Sequence, residues 1–342
     1  MPFRKASESR PQISEVTPYA AIPGGEFRIR GKGLTATEKA SVRFGSASGS
    51  VVIGSDSLLI VRVPEGASAN ELIVGSEQHA SAPYTCGIGV QIADGLHPVS
   101  NPVVDQRGNI YTTFSGSPGQ KAPVSIYKVE FGGTLLPHVV ELMNATGLAL
   151  DADDVLYASS RHEGTIYKIS ESGSFSTYVE GMGVATGIVF DRDGNLYVGD
   201  RSGTIFKVSR ERQIYVFATL EPSLAAYHLA FGPEGYLYVT GPTTSSFDSV
   251  HRISPAGQVE TFYRGLGRPQ GIAFDVDGNA YVAASLGGRR GVVRITQDAK
   301  AELFLSGPSI VGLAFAPGKA MILATTNSLF RVNVGIAGRP LL

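Results

Sequence analysis

With 342 residues, 43% of them hydrophobic and 17% charged, the chain can hold one small and one large β-domain and is too apolar to be disordered. Its formal charge of -1 supplies no field to draw it to nucleic acid or an anionic membrane, and no run of about 18 apolar residues is present to span a bilayer. The single cysteine, Cys86, rules out an intrachain disulfide and reads as a packed, inert thiol.

In chain order, residues 1–10 are polar, with basic residues but no apolar stretch behind them, so no signal peptide is read and the expected location is the cytoplasm. Residues 11–85 alternate short apolar runs with turns. Phe27 and Ile29 sit two apart in Glu26-Phe27-Arg28-Ile29-Arg30, as on a half-buried strand. Further runs occur at 42–44, 51–53, 59–63 and 72–74, punctuated by Gly24-Gly25, Gly31, Gly33, Gly45 and Pro64. Five such strands, with one or two more near 13–16 and 80–84, predict a β-sandwich.

From about Gly87 a repeat takes over. Its clearest copies are GIVFDRDGNLYVGDRSGTIFKVS (187–209) and GIAFDVDGNAYVAA (271–284), with weaker ones beginning near 102, 147, 229 and 312. The residues that end the first strand of each copy are Asp105, Asp151, Asp191, Gly232, Asp275 and Ala316, at intervals of 46, 40, 41, 43 and 41. That is the blade period of a β-propeller, each unit supplying four strands. The fold class expected is all-β: an immunoglobulin-like sandwich over 11–85, then a six-bladed propeller over 86–342. The last copy shows three strands, so residues 88–95 are expected to supply its fourth and close the ring.

Two stretches resemble known families. PQISEVTPYAAIPGGEFRIRGKGL, then VRFG, then SDSLLIVRVPEGA, is similar to the IPT/TIG domain, which implies an immunoglobulin-like fold used for spacing or protein contacts. The motif P-x-G-I-A-F-D-x-D-G-N-x-Y-V, complete at 269–282, resembles the NHL and senescence-marker/gluconolactonase-like propellers, with streptogramin-lyase repeats as relatives. That resemblance implies a fold that hosts both enzymes and binding scaffolds.

The catalytic readings fare poorly. A calcium loop at Asp191 or Asp275 would need a bidentate Glu at its twelfth position, where Ser202 and Leu286 stand. The alternative is a tight turn in which Gly-Asn supplies positive-φ residues. In gluconolactonase-like propellers, tunnel carboxylates and amides hold a divalent metal. The matching positions here are Ser100, Thr146, Thr186, Tyr227, Gln270 and Val311, none of them an acid; shifting the weak copies by one residue brings in Asn101 and His228. The chain has no Trp where lyase repeats carry one, and its six His show no metal-ligand spacing.

The sequence therefore points to a non-enzymatic ligand-binding or protein-interaction scaffold, with a gluconolactonase-type hydrolase of altered metal site as the alternative. The candidate site is a channel mouth of Arg161, Asp200, Arg201, Tyr227, His228 and Gln270, suited to a polar or anionic small molecule. No metal, cofactor, nucleic-acid or membrane partner is expected, and the chain is expected to be a monomer.

Overall fold

The computed structural model describes residues 10–35, 40–76, 78–117 and 119–339. Apart from the 3-10 turn Pro233–Gly235, every regular element among them is a β-strand. The strands form two compact units: Met1–Val90 with Leu303–Pro308 and Val332–Val334, and Gln91–Glu302 with Ser309–Arg331 and Gly335–Leu342.

In the first unit, Phe27, Ile29, Leu59 and Val61 are buried on alternate strand positions, while Arg28, Arg30 and Arg62 stay in solvent. They share one core with Val42, Phe44, Leu72 and Val74. Sequence alone predicts two sheets here. The strand order runs through all seven strands, because the long strand Ala47–Gly54 changes partner along its length. Its first residues pair with Val42–Phe44 and those from Ser50 onward pair with Leu58–Arg62. Cys86 lies in this core, and burial, with Glu71 adding to it, pushes its thiol up to about 12. It is an unreactive thiol at neutral pH.

The second unit is a propeller-like series of four-stranded meanders. A representative sheet runs Ala185–Phe190, Leu196–Asp200, Thr204–Val208, Ile214–Thr219. Five sheets have four strands, not the six that the repeat count predicts. The remaining set, Ile272–Phe274 to Ala301–Ser306, is counted in a run of six strands, because Leu305 and Ser306 pair in parallel with Ala20 and Ala21, which pair in turn with Gly87 and Ile88. The sheet of Ile310–Ala316, Ala320–Thr325 and Leu329–Asn333 takes Val90–Ala93 as its outer strand.

Two sequence features explain this geometry. The first is the Asp turn. Asp275 accepts from the Asn279 backbone N–H (2.8 Å) and side-chain amide (2.8 Å) and from the Tyr281 hydroxyl (3.1 Å); Asp191 and Asp105 hold Asn195 and Asn109 likewise. Only the residue before each Asn has positive φ (Gly108, Gly194, Gly278), and Asp154 and Lys319 take that conformation in the weaker copies. This corrects the sequence reading: Asn is present for its amide, not for its φ. The Tyr then packs edge-on against a Phe of the next sheet, at 4.8 Å for Tyr157–Phe190, 5.2 Å for Tyr197–Phe231, 4.7 Å for Tyr238–Phe274 and 5.2 Å for Tyr281–Phe315.

The second feature is the glycine four residues before four of the six turns. A Cβ on Gly147 would strike the Thr186 carbonyl oxygen, one on Gly187 the Tyr227 carbonyl oxygen, and one on Gly312 the Ser100 carbonyl oxygen. Neighbouring first strands are in backbone contact there. Gly187→Ala is expected to destabilise the fold by about 1–3 kcal/mol through overpacking, read as a lower urea midpoint at unchanged m-value.

Candidate functional site

The first strand of each sheet lies at one end of its strand order, so one edge has no strand neighbour. All six of these edges line a single cavity of about 1010 Å³ in the second unit. Adjacent first strands meet at its narrow end, among Asn101, Gly147, Gly187 and His228; its Asp-turn end, here called the mouth, is lined by Asp105, Asp151, Asp154, Arg192, Lys319 and Arg339.

The narrow end is a ring of six equivalent positions: Asn101, Gly147, Gly187, His228, Gly271 and Gly312. Four are Gly because nothing larger fits, so Asn101 and His228 are the side chains the ring contributes. Asn101 is spent on its neighbours, donating to Ile272 O (3.0 Å) and accepting from Leu313 N (3.0 Å). His228 is 2% exposed, and its Nε2 has no hydrogen-bond partner among the described residues. Burial lowers its pKa from 6.5 to about 3, so the imidazole is neutral at physiological pH.

One position earlier stand the residues that match metal ligands in gluconolactonase-like propellers. Here the hydroxyls are engaged within the protein, those of Ser100 and Thr186 across to the neighbouring sheet. The Ser100 hydroxyl donates to Thr146 O (2.5 Å), the Thr146 hydroxyl to Asn144 O (2.9 Å), and the Thr186 hydroxyl to Gly199 O (2.8 Å) while accepting from Tyr227 N (3.1 Å). Val311 offers only hydrocarbon. Among the described residues no group of three His, Cys, Asp or Glu is placed to hold a metal ion. The donor set does not fit a divalent cation.

Of the six residues singled out from sequence, only His228 lines the cavity. Asp200 is 6% exposed and turned inward, accepting from Val184 N (2.9 Å), Ser202 N (3.3 Å) and the Ser202 hydroxyl. Tyr227 is 3% exposed, donates its hydroxyl to Glu221 O, and is pushed up to about 12 by burial, then by Glu221 and Asp200. Gln270 O accepts from the Thr240 hydroxyl. Arg161 and Arg201 are neighbours: burial, then the Arg201 charge, lowers the Arg161 pKa. Each also reaches a loop carbonyl, Arg161 that of Gly116 (3.4 Å) and Arg201 that of Ser223 (3.4 Å). The sequence reading did not single out Arg192, Lys319 and Arg339. Their signal was weak, since each is an isolated cation in or beyond a turn.

The second unit is thus a propeller with a central channel, in a chain whose other unit carries a second recognisable module. Residues 11–115 match the IPT/TIG domain, a span that runs past Ile88 into the first four-stranded sheet. No curated protein matches the chain in sequence. Among solved structures, a putative gluconolactonase aligns at 17% identity and TM-score 0.61 over 74% of this chain and 94% of its own. An auxiliary nutrient binding protein from Bacteroides thetaiotaomicron aligns at 11% and 0.58 over 95% and 97%. Virginiamycin B lyase from Staphylococcus aureus aligns at 13% and 0.53 over 71% and 96%. At these identities the likeness is one of fold.

Two outcomes test the site chemistry. Between pH 6.5 and 3 the unfolded chain binds a proton that folded His228 refuses, so stability falls as pH drops through that window. The slope from this group is about 1.4 kcal/mol per pH unit, and urea titrations of His228→Gln should lose one proton's worth of it. Asp200→Ala should cost about 1–3 kcal/mol, because it strands buried donors rather than breaking a surface ion pair.

Proposed function

We propose that the chain is a non-enzymatic binding protein. On this reading it is a six-bladed propeller closed by residues 88–95, carries an immunoglobulin-like IPT/TIG module, and holds a small polar ligand in its channel. The observation that carries the reading is the cavity itself: about 1010 Å³, at the upper end of ligand-pocket size, walled by the open edges of six strands. The nutrient binding neighbour, whose alignment covers nearly the whole of both chains, supports the same reading. Arg161, Arg201 and Gln270, at the opposite ends of the strands from the mouth, offer a second polar contact region beside buried Asp200 and Tyr227.

The hydrolase alternative draws support from the likeness to the putative gluconolactonase. It requires a metal or a free acid, and the tunnel oxygens are already engaged within the protein. The two readings separate on purified protein. The binding reading expects no stoichiometric divalent metal after gel filtration, a thermal midpoint indifferent to chelator, and no turnover of lactones or phosphoesters. It further expects a compound from a polar small-molecule set to raise the midpoint, with about 2.7 kcal/mol gained at a hundred times Kd. Chelator-sensitive stability together with lactone turnover would establish the hydrolase instead.

A further inference from the structure

The lumen edges of the first strands carry their own record of what they bind. In an antiparallel pair, backbone groups alternate between the partner strand and the open side. The turn bond from Asp275 N to Asn279 O (3.1 Å) sets this alternation for the fifth copy of the repeat, so Ile272 and Phe274 present their backbone groups to the channel. Both are met by amides of the chain itself. Ile272 O accepts from the Asn101 carboxamide, whose oxygen takes Leu313 N. Phe274 O accepts from Arg339 N (2.8 Å) and Val276 N donates to Ala337 O (3.1 Å), framing an antiparallel bridge between Asp275 and Gly338. A short extended segment of this protein is therefore already seated on the channel's edge at its mouth.

The same turn bond recurs at Asp151 to Val155 (3.1 Å), Asp191 to Asn195 (2.9 Å) and Gly232 to Tyr236 (3.0 Å). Leu150, Phe190 and Phe231, with the residues two before each, thus present equivalent N–H and C=O groups on the second, third and fourth copies. Among the described residues nothing pairs with these lumen-facing groups. The strand from ring to turn is four residues, about 13 Å deep. At the mouth, Arg192, Lys319 and Arg339 make no ion pair among the described residues, while Asp105 and Asp151 spend carboxylate oxygens on N–H groups of their own turns and the third acid, Asp154, accepts from Gln106 N (3.1 Å).

We infer that the channel recognises a short peptide, about four residues long and extended, with its free C-terminal carboxylate at the mouth among Arg192, Lys319 and Arg339. This rests on the channel being the binding site. The peptide's amides meet the open edges of the second to fourth copies as an added strand would, its carboxylate meets the free cations, and neutral His228 at the narrow end accepts from an N–H.

Calorimetric titration with tetra-alanine, its C-terminal amide and its fully N-methylated analogue tests each part. Tetra-alanine should bind, amidation should weaken it about tenfold, and N-methylation should abolish binding. Arg192→Glu with Lys319→Glu, at two exposed sites, should weaken the free acid about tenfold and bring it level with the amide. If the N-methylated analogue binds as well as tetra-alanine, or tetra-alanine gives no binding, the peptide assignment fails and the channel reading stands on the small-molecule screen. Ala230→Trp fills the cavity. Undiminished tetra-alanine binding by that variant, with a cooperative urea transition of wild-type m-value, removes the channel as the site and both readings with it.

Discussion

Backbone contact between neighbouring first strands is the constraint on which the second unit depends. Gly147, Gly187, Gly271 and Gly312 lack side chains because adjacent strands meet there. That contact brings Ser100, Thr146 and Thr186 within hydroxyl range of carbonyls and amides near the same ring. One close approach thus explains why the central wall is stitched by neutral hydrogen bonds rather than held by a cation.

The Asp turn is the second device, and it works by saturation. A carboxylate that accepts two or three N–H or O–H donors inside its own turn has little capacity left for a metal or a ligand. The same carboxylate fixes the Tyr that packs on the next sheet, so a local turn motif and the packing between sheets are one arrangement. Burial foremost, and then the Asp charge, raises the Tyr281 pKa, which keeps the phenol a donor.

Much of this was legible beforehand because it is periodic. The spacing of Asp105, Asp151, Asp191 and Asp275 revealed repeated meanders, and the sequence placed hydroxyls rather than acids at Ser100, Thr146 and Thr186. What could not be read was direction. Asp200 looked like a free acid because its equivalents are not acids, yet it faces Val184 and Ser202, and no pattern in the chain signals where a carboxylate turns. Tyr227 was placed at an open mouth on register alone, while its ring is packed against Gly199 and Gly241. Arg339 lies beyond the last repeat, and only the bridge at Asp275 brings it to the channel. The change of partner within Ala47–Gly54 depends on pairing, which alternation of side chains does not encode.

The pairing of Val90–Ala93 with Leu329–Asn333 has a consequence in time rather than in energy. The two strands are separated by about 240 residues of chain, so at synthesis rates of about 5–20 residues per second the first is made some 12–48 s before its partner exists. Ala20–Ala21 waits longer still for Leu305–Ser306, about 285 residues on. The intervening meanders are local and can form in order as they emerge, whereas these early strands must remain unpaired or find temporary neighbours. The last sheet to be completed is thus one whose outer strand was made before any of its partners.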